Sequence, residues 1–544
     1  MCRNSYREKI QSAVFVFAGF VILLASSETF SQSYPQLGDV KPGPYAVGFR
    51  VINRYDYSRT LRPKTNFEGK TVSGEAAMPV QIGMWYPARK STASPMPYED
   101  YLHLVLKKED FTPVTDADRI RAKADLKNQV KMVFSKDLTD EEVAAIMKIK
   151  TGAIKDAEPE AGPFPLILSG SDGGPASNAR LYEYLASHGY VVINSSGVSM
   201  IATLQVTSPQ MAIESRARNY EFLMAQAREY SFIDRNRVGV IGVNFDGMAA
   251  LVFQMKNMFA DAVISLDGWE GKNAGSETLR NSPYFNAVKL RIPYMIMLQD
   301  EQLPPDHGLG HNYRVFDSFK YSERYAYAIR GFGHVYYVAG LSTLPMLAPE
   351  KARGYEFVFR ATLGFMDAYV KKDQAGATFL KREAEANGYA KDFLLTERKG
   401  ATLKPAPTEE EFEELLGVGI GRQGQASDVA KAVQILRDAT RDNPNDVIFK
   451  ESTVNLFAFR FLRQNRVKDA IELYSLVAEA YPRSIHAHNN LGNAYRQDGQ
   501  KEPAISSFEK ALQLLPSTDM TEGNREQSRQ NIQRKIDQLK ADNR

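Results

Sequence analysis

The sequence predicts an α/β protein, a doubly wound and mostly parallel sheet with a helical insertion, followed by an all-α repeat domain. Three observations predict it. Short, uniformly apolar runs alternate with helical stretches over roughly 200 residues, as buried parallel strands with covering helices do. Within that alternation Val238–Leu251 reads VGVIGVNFDGMAAL, a β-branched run passing through a glycine-bounded turn into a small-residue helix. Finally, two C-terminal segments 34 residues apart repeat one pattern of small and apolar positions.

Composition bounds the rest. At 544 residues and 43% apolar content the chain can hold two or three domains. Its 68 basic and 65 acidic residues nearly cancel, which argues against a nucleic-acid partner held by bulk charge. Arg3, Arg7 and Lys9 precede an apolar core from Ala13 to Ala25, and Thr29 and Ser31 follow it. That order is the order of a secretory signal peptide, residues 1–31, too short for a comfortable membrane span. The single cysteine, Cys2, precedes the core, so it is not a lipoprotein cysteine, and the mature chain would hold none. The expectation is a secreted or periplasmic protein without disulfides or a stable membrane anchor.

In chain order, Val47–Asn53 and Val80–Pro87 read as strands opening a domain at 32–398. Residues 98–160 turn Lys-, Asp-, Glu- and Ala-rich, with helical spacing at Ile120–Val130. A capping signature at Thr139–Glu142 precedes Val143–Ile149. This insertion is either a lid over a site or a surface excursion. Strands are then expected at Pro165–Ser169, Tyr190–Asn194, Val238–Val243, Ala262–Asp267, Ile292–Gln299 and Arg324–Ile329. Helices are expected at Ala176–His188, Met211–Tyr230, Met248–Asn257 and Gly354–Lys371. Reactive groups in such sheets gather beyond the strand C-termini, so the turn at Asn244 and the loops of Asp267 and His334 can share one edge.

A Pro-bearing linker at 399–410 leads into helices over 411–544. Phe457, Ala458, Phe461, Ala470, Tyr474, Val477 and Pro482 recur as Leu491, Gly492, Tyr495, Ala504, Phe508, Ala511 and Pro516. Small residues at these offsets let two antiparallel helices approach, and proline ends each unit. The pattern resembles tetratricopeptide repeats, with a degenerate earlier copy at Ala432, Leu436, Ala439 and Pro444. The tail from Glu522 keeps Ile532, Ile536 and Leu539 on one face. The resemblance implies a protein or peptide partner.

Across Gly43–Lys371 the segments GPYAVGF, MWYPA, LASHGYVVI, DRNRVGVIGVNFDGMAAL, ISLDGW and GFGHVYY resemble secreted α/β-hydrolases of the dienelactone hydrolase and platelet-activating-factor acetylhydrolase type. Those enzymes carry a Ser–Asp–His triad in that chain order. The resemblance puts Asp267 on the triad acid and His334 on the base. The nucleophile does not carry over: the pattern Gly-x-Ser-x-Gly-Gly reads Gly242-Val243-Asn244-Phe245-Asp246-Gly247. A carboxamide offers no hydroxyl for a base to activate. Asparagine nevertheless tolerates positive φ, so an elbow can survive without its chemistry. The oxyanion-hole positions fall on the backbone of Asp172 and Phe245. Carboxylates at Asp172 and Asp246 near a developing oxyanion would oppose the hole's purpose.

Other candidates are Ser169, Ser171, Ser195 and Ser196, one of which would be a relocated nucleophile, and Asp306, His307 and His311, whose spacing suits either a metal or a polar loop. Gly170–Gly174 lacks the spacing of a phosphate or dinucleotide loop, so no cofactor is expected. Three readings follow. One is a non-hydrolytic descendant that binds a small acyl or ester ligand or a partner. Another is an ester or lactone hydrolase using Asp267–His334 with water or a displaced serine. The last is a scaffold whose repeats do the work.

Overall fold

The computed structural model describes residues 37–38, 40–62, 69–70, 76–107, 111–171, 173–196, 208–300, 314–402, 409–416, 428–442, 450–518 and 520–541. The signal segment, Asp172, Asp306, His307, His311 and Pro444 lie outside the described residues. The chain divides into two compact units, 1–400 and 401–544.

The first unit is built on one 10-stranded sheet in the order β10-β9-β8-β7-β6-β4-β5-β2-β1-β3. Strands β1 (Ala46–Arg62) and β2 (Ala76–Ala88) form an antiparallel hairpin, and β2 runs antiparallel to β5 (Val191–Ser196). From β5 the sheet is parallel through β4 (Phe164–Ser171), β6 (Ile233–Val243), β7 (Ala262–Leu266), β8 (Tyr294–Leu298) and β9 (Arg324–Ile329). Two edge strands complete it: β3 (Ala153–Lys155) beside β1, and β10 (Leu394–Lys399) antiparallel to β9. Every residue of β4, β7, β8 and β9 is buried, which is why these strands read as unbroken apolar runs. Sheet order reverses at β4, which lies between β5 and β6, and ligands bind at such a switch point. An antiparallel second strand ahead of a parallel, doubly wound sheet is an α/β-hydrolase fold.

Several boundaries differ from the sequence expectation. The helix after the elbow, α6 (Phe245–Asn257), begins directly after Asn244 rather than at Met248. Strand β7 stops at Leu266, because Asp267 takes φ 49° and leaves the strand. Helix α5 (Pro209–Gln226) ends before Tyr230 in a short 3-10 turn. Strand β10 carries no apolar alternation at its exposed positions and was not expected; Lys399, counted above with the linker, is its last residue.

The insertion folds into α1 (Glu99–Leu106), α2 (Asp116–Phe134) and α3 (Asp140–Met147). Thr115–Asp118 and Thr139–Glu142 each close a reciprocal capping box. Ala122, Leu126 and Val130 form the buried stripe of α2, while Ile120 is exposed. The phenol of Tyr101 bridges outward from α1: it accepts from Trp85 Nε1 at 2.8 Å and donates to Glu183 Oε1 at 2.7 Å on α4 (Pro175–Ser187).

The second unit is all helical. Helices α14 (Glu451–Arg463) and α15 (Val467–Ala480) pair, as do α16 (Ile485–Gln497) and α17 (Lys501–Leu514). Phe457, Ala458, Phe461, Ala470, Tyr474, Leu491, Ala504, Phe508 and Ala511 are all buried. A Cβ at Gly492 would lie 2.7 Å from the Phe508 ring, so the glycine sets how closely α16 and α17 approach. The last helix, α18 (Glu522–Ala541), lays Ile532, Ile536 and Leu539 over Ala504, Phe508 and Ala511 and covers the end of the stack.

Candidate active site

Strand β6 delivers Asn244 to the C-terminal edge of the sheet, where the chain turns sharply into α6. Asn244 adopts φ 58°, ψ −122°, a conformation that costs most residues energy and asparagine less. Hydrogen bonds hold it there: its N–H donates to Leu266 O at 3.1 Å, and its carbonyl accepts from Gly247 N at 3.0 Å and Trp269 N at 3.4 Å. Gly242 is required one turn below, because any Cβ there would collide with the Asp246–Gly247 backbone.

Two of these partners flank Asp267, so the elbow and the acid turn are laced together. The Asp267 side chain is 1% exposed and anchored by three donors: Gln299 N to Oδ1 at 3.1 Å, Gln299 Nε2 to Oδ2 at 3.3 Å, and Nδ1 of His334. A carboxylate only accepts, so Nδ1 of His334 carries the hydrogen and Nε2 is left basic. His334 opens the short helix α9 (His334–Val338) after β9, and its side chain is 38% exposed, open to a reacting proton. The structure thus brings Asn244, Asp267 and His334 to one edge of the sheet, past the ends of β6, β7 and β9. Gln299, which orients the acid, was missed in the sequence; its place at the end of the β8 run was the available signal.

Asp246 alters the electrostatic argument drawn from sequence. Its carboxylate is 4% exposed and pairs with Arg216 Nη1 of α5 at 2.6 Å. A Cβ at Gly170 would sit 2.6 Å from Asp246 Oδ1, so the group lies against the end of β4 with its charge balanced there. The guanidinium of Arg216 also lies 5.8 Å from the Phe245 ring centre, and Phe245 stacks on Trp269 at 4.5 Å. Nothing in an amphipathic α5 sequence singles out Arg216. Behind the acid turn, Glu270 is buried, accepts from Tyr294 OH at 2.9 Å, and has its carboxyl pKa raised by that burial.

Two of the serine candidates are occupied elsewhere. Ser169 Oγ lies 2.7 Å from the Tyr182 hydroxyl, and Ser171 Oγ donates to Gly174 O at 3.2 Å. Both are buried, as is Ser195. The insertion is not a remote excursion. A cavity of about 240 Å³ is bounded by Tyr98, Leu102 and Leu126 of the insertion, Gly173 and Ser177 beyond β4, and Val338 behind His334. Gln129 donates to Ala339 O across it.

Residues 486–517 match the tetratricopeptide repeat family. Among solved structures the chain is similar to a ferulic acid esterase from Streptomyces cinnamoneus, with 16% identity, a TM-score of 0.42, and coverage of 66% of this chain and 98% of that one. No curated protein matches. The molecule is an α/β-hydrolase fold followed by a tetratricopeptide-repeat unit.

Proposed function

We propose that this is an exported, non-hydrolytic descendant of dienelactone hydrolase-type esterases that binds a small acyl or ester ligand and uses its repeats to engage a protein. The observation that carries the reading is Asn244 at the tip of a strained elbow beside a hydrogen-bonded Asp267–His334 pair. A carboxamide at the nucleophile position gives a base nothing to deprotonate and no acyl-enzyme to form. The cavity between the insertion, the start of α4 and the end of α9 supports ligand binding.

Assays on short acyl esters with the natural protein and Asn244→Ser test it. The expected result is turnover, or labelling by a fluorophosphonate, only in the serine variant. Turnover by the natural protein that an alanine at His334 abolishes would instead establish the second reading, water activated by His334; the solvent exposure of the His334 side chain favours that alternative. A scaffold role would appear as partners captured equally well by full-length protein and by residues 410–544.

A further inference from the structure

The backbone of Asn244 has a chemical consequence of its own. The Cβ of an L-residue stands about −120° from its own nitrogen around the Cα–C bond. At ψ −122° the next nitrogen, that of Phe245, therefore eclipses Cβ. Helical and strand backbones hold these two atoms apart by about 80° and about 105°. Here the five-membered ring joining Phe245 N to the Asn244 side-chain carbonyl carbon needs only side-chain rotation to close. The backbone cannot relax away, because both the N–H and the C=O of Asn244 are hydrogen-bonded. Phe245 is the first residue of α6, so its N–H lies outside the helical ladder. Negative charge gathering on that nitrogen during attack is favoured at a helix N-terminus. Asn244 is partly exposed, which admits water.

We propose that Asn244 is a site of self-modification: its carboxamide cyclises on Phe245 N to a succinimide, which water opens to aspartate or isoaspartate. In the first step the N–Cγ bond forms, the Cγ–Nδ2 bond breaks, and the amide proton of Phe245 leaves with the departing nitrogen as ammonia. In the second, water adds to either ring carbonyl and the C–N bond to that carbon breaks. The elbow then presents a carboxylate where it presented a carboxamide.

The test is peptide mapping by mass spectrometry of the full-length protein incubated at mildly alkaline pH, folded and in urea. In the unfolded chain Asn387 should convert first, since Gly388 leaves the attacking nitrogen unhindered, whereas Phe245 hinders attack on Asn244. In the folded protein the order should reverse. Asn387 is tied to Phe379 O through its side chain at 2.8 Å, and Asn244 should pass through a species lighter by one ammonia. Asn244→Gln, which would need a six-membered ring, should stay unconverted while keeping the fold by circular dichroism. Folded protein in which Asn387 converts before Asn244, or Asn244 converts no faster than when unfolded, overturns the proposal.

Discussion

Replacing Arg216 with methionine asks whether one guanidinium balances the carboxylate beneath the elbow. Methionine keeps apolar bulk along the same path and removes the charge together with its N–H donors. The pair is desolvated, with side chains 9% and 4% exposed and 2.6 Å apart. Removing one partner of such a pair costs about 3–5 kcal/mol, because the other charge stays buried. The loss is linked to pH. The orphaned Asp246 holds a proton in the folded variant that the unfolded chain has released, so folding of the variant takes up a proton. The deficit is therefore largest above the carboxylate range and shrinks by about 1.4 kcal/mol per pH unit on acidification toward about pH 4. A deficit of about 4 kcal/mol near pH 7 should fall to about 1.2 kcal/mol near pH 5. Urea titration followed by tryptophan fluorescence is the assay. Both tryptophans, Trp85 and Trp269, lie in the first unit, so the repeats are silent. Arg216→Met combined with Asp246→Gly should recover most of the loss, since neither charge remains. A deficit under about 1 kcal/mol, one independent of pH, or a double variant no better than the single would refute the reasoning.

Two further outcomes are expected. Burial raises the Glu270 carboxyl above its unfolded value, so the folded chain keeps a proton the unfolded chain loses and stability falls as pH climbs past about 4.3. Glu270→Gln should be more stable near neutrality and flatten the pH profile of the same fluorescence titration; parallel profiles would contradict this. Gly492→Ala drives a methyl into the Phe508 ring and should cost the repeat unit about 1–3 kcal/mol, read by hydrogen exchange in α16 and α17. Unchanged protection there would show that the ring moves aside freely.

The order of strands and helices was legible because burial on both faces erases alternation, leaving β4, β7, β8 and β9 as plain apolar runs. Asp267 and His334 were legible for a different reason: each sits just past such a run, where a doubly wound sheet collects its polar groups. Their meeting was not a matter of pattern, since 67 residues separate them and only the parallel register of β7, β8 and β9 makes them neighbours. Asp246 was read as a naked charge because its partner Arg216 lies 30 residues away on a helix with no distinguishing spacing. The insertion's role was likewise hidden, because its helices show where they bury a face but not which face of the domain receives it.

The insertion has a clasp. Met96, Tyr98, Ile149, Thr151 and Ala153 exchange backbone hydrogen bonds at its neck, and Glu183 takes Tyr101 with one oxygen and Gly152 N with the other, at 2.8 Å. The sheet therefore meets the excursion at a closed door frame, whatever hangs inside it. Closure entropy grows only slowly with length, about 0.6 kcal/mol per doubling, so a change in the length of the roughly fifty residues between Tyr101 and Gly152 costs the frame little. Relatives of this chain could change the wall of the cavity wholesale while leaving the sheet, the elbow and the Asp267–His334 pair untouched.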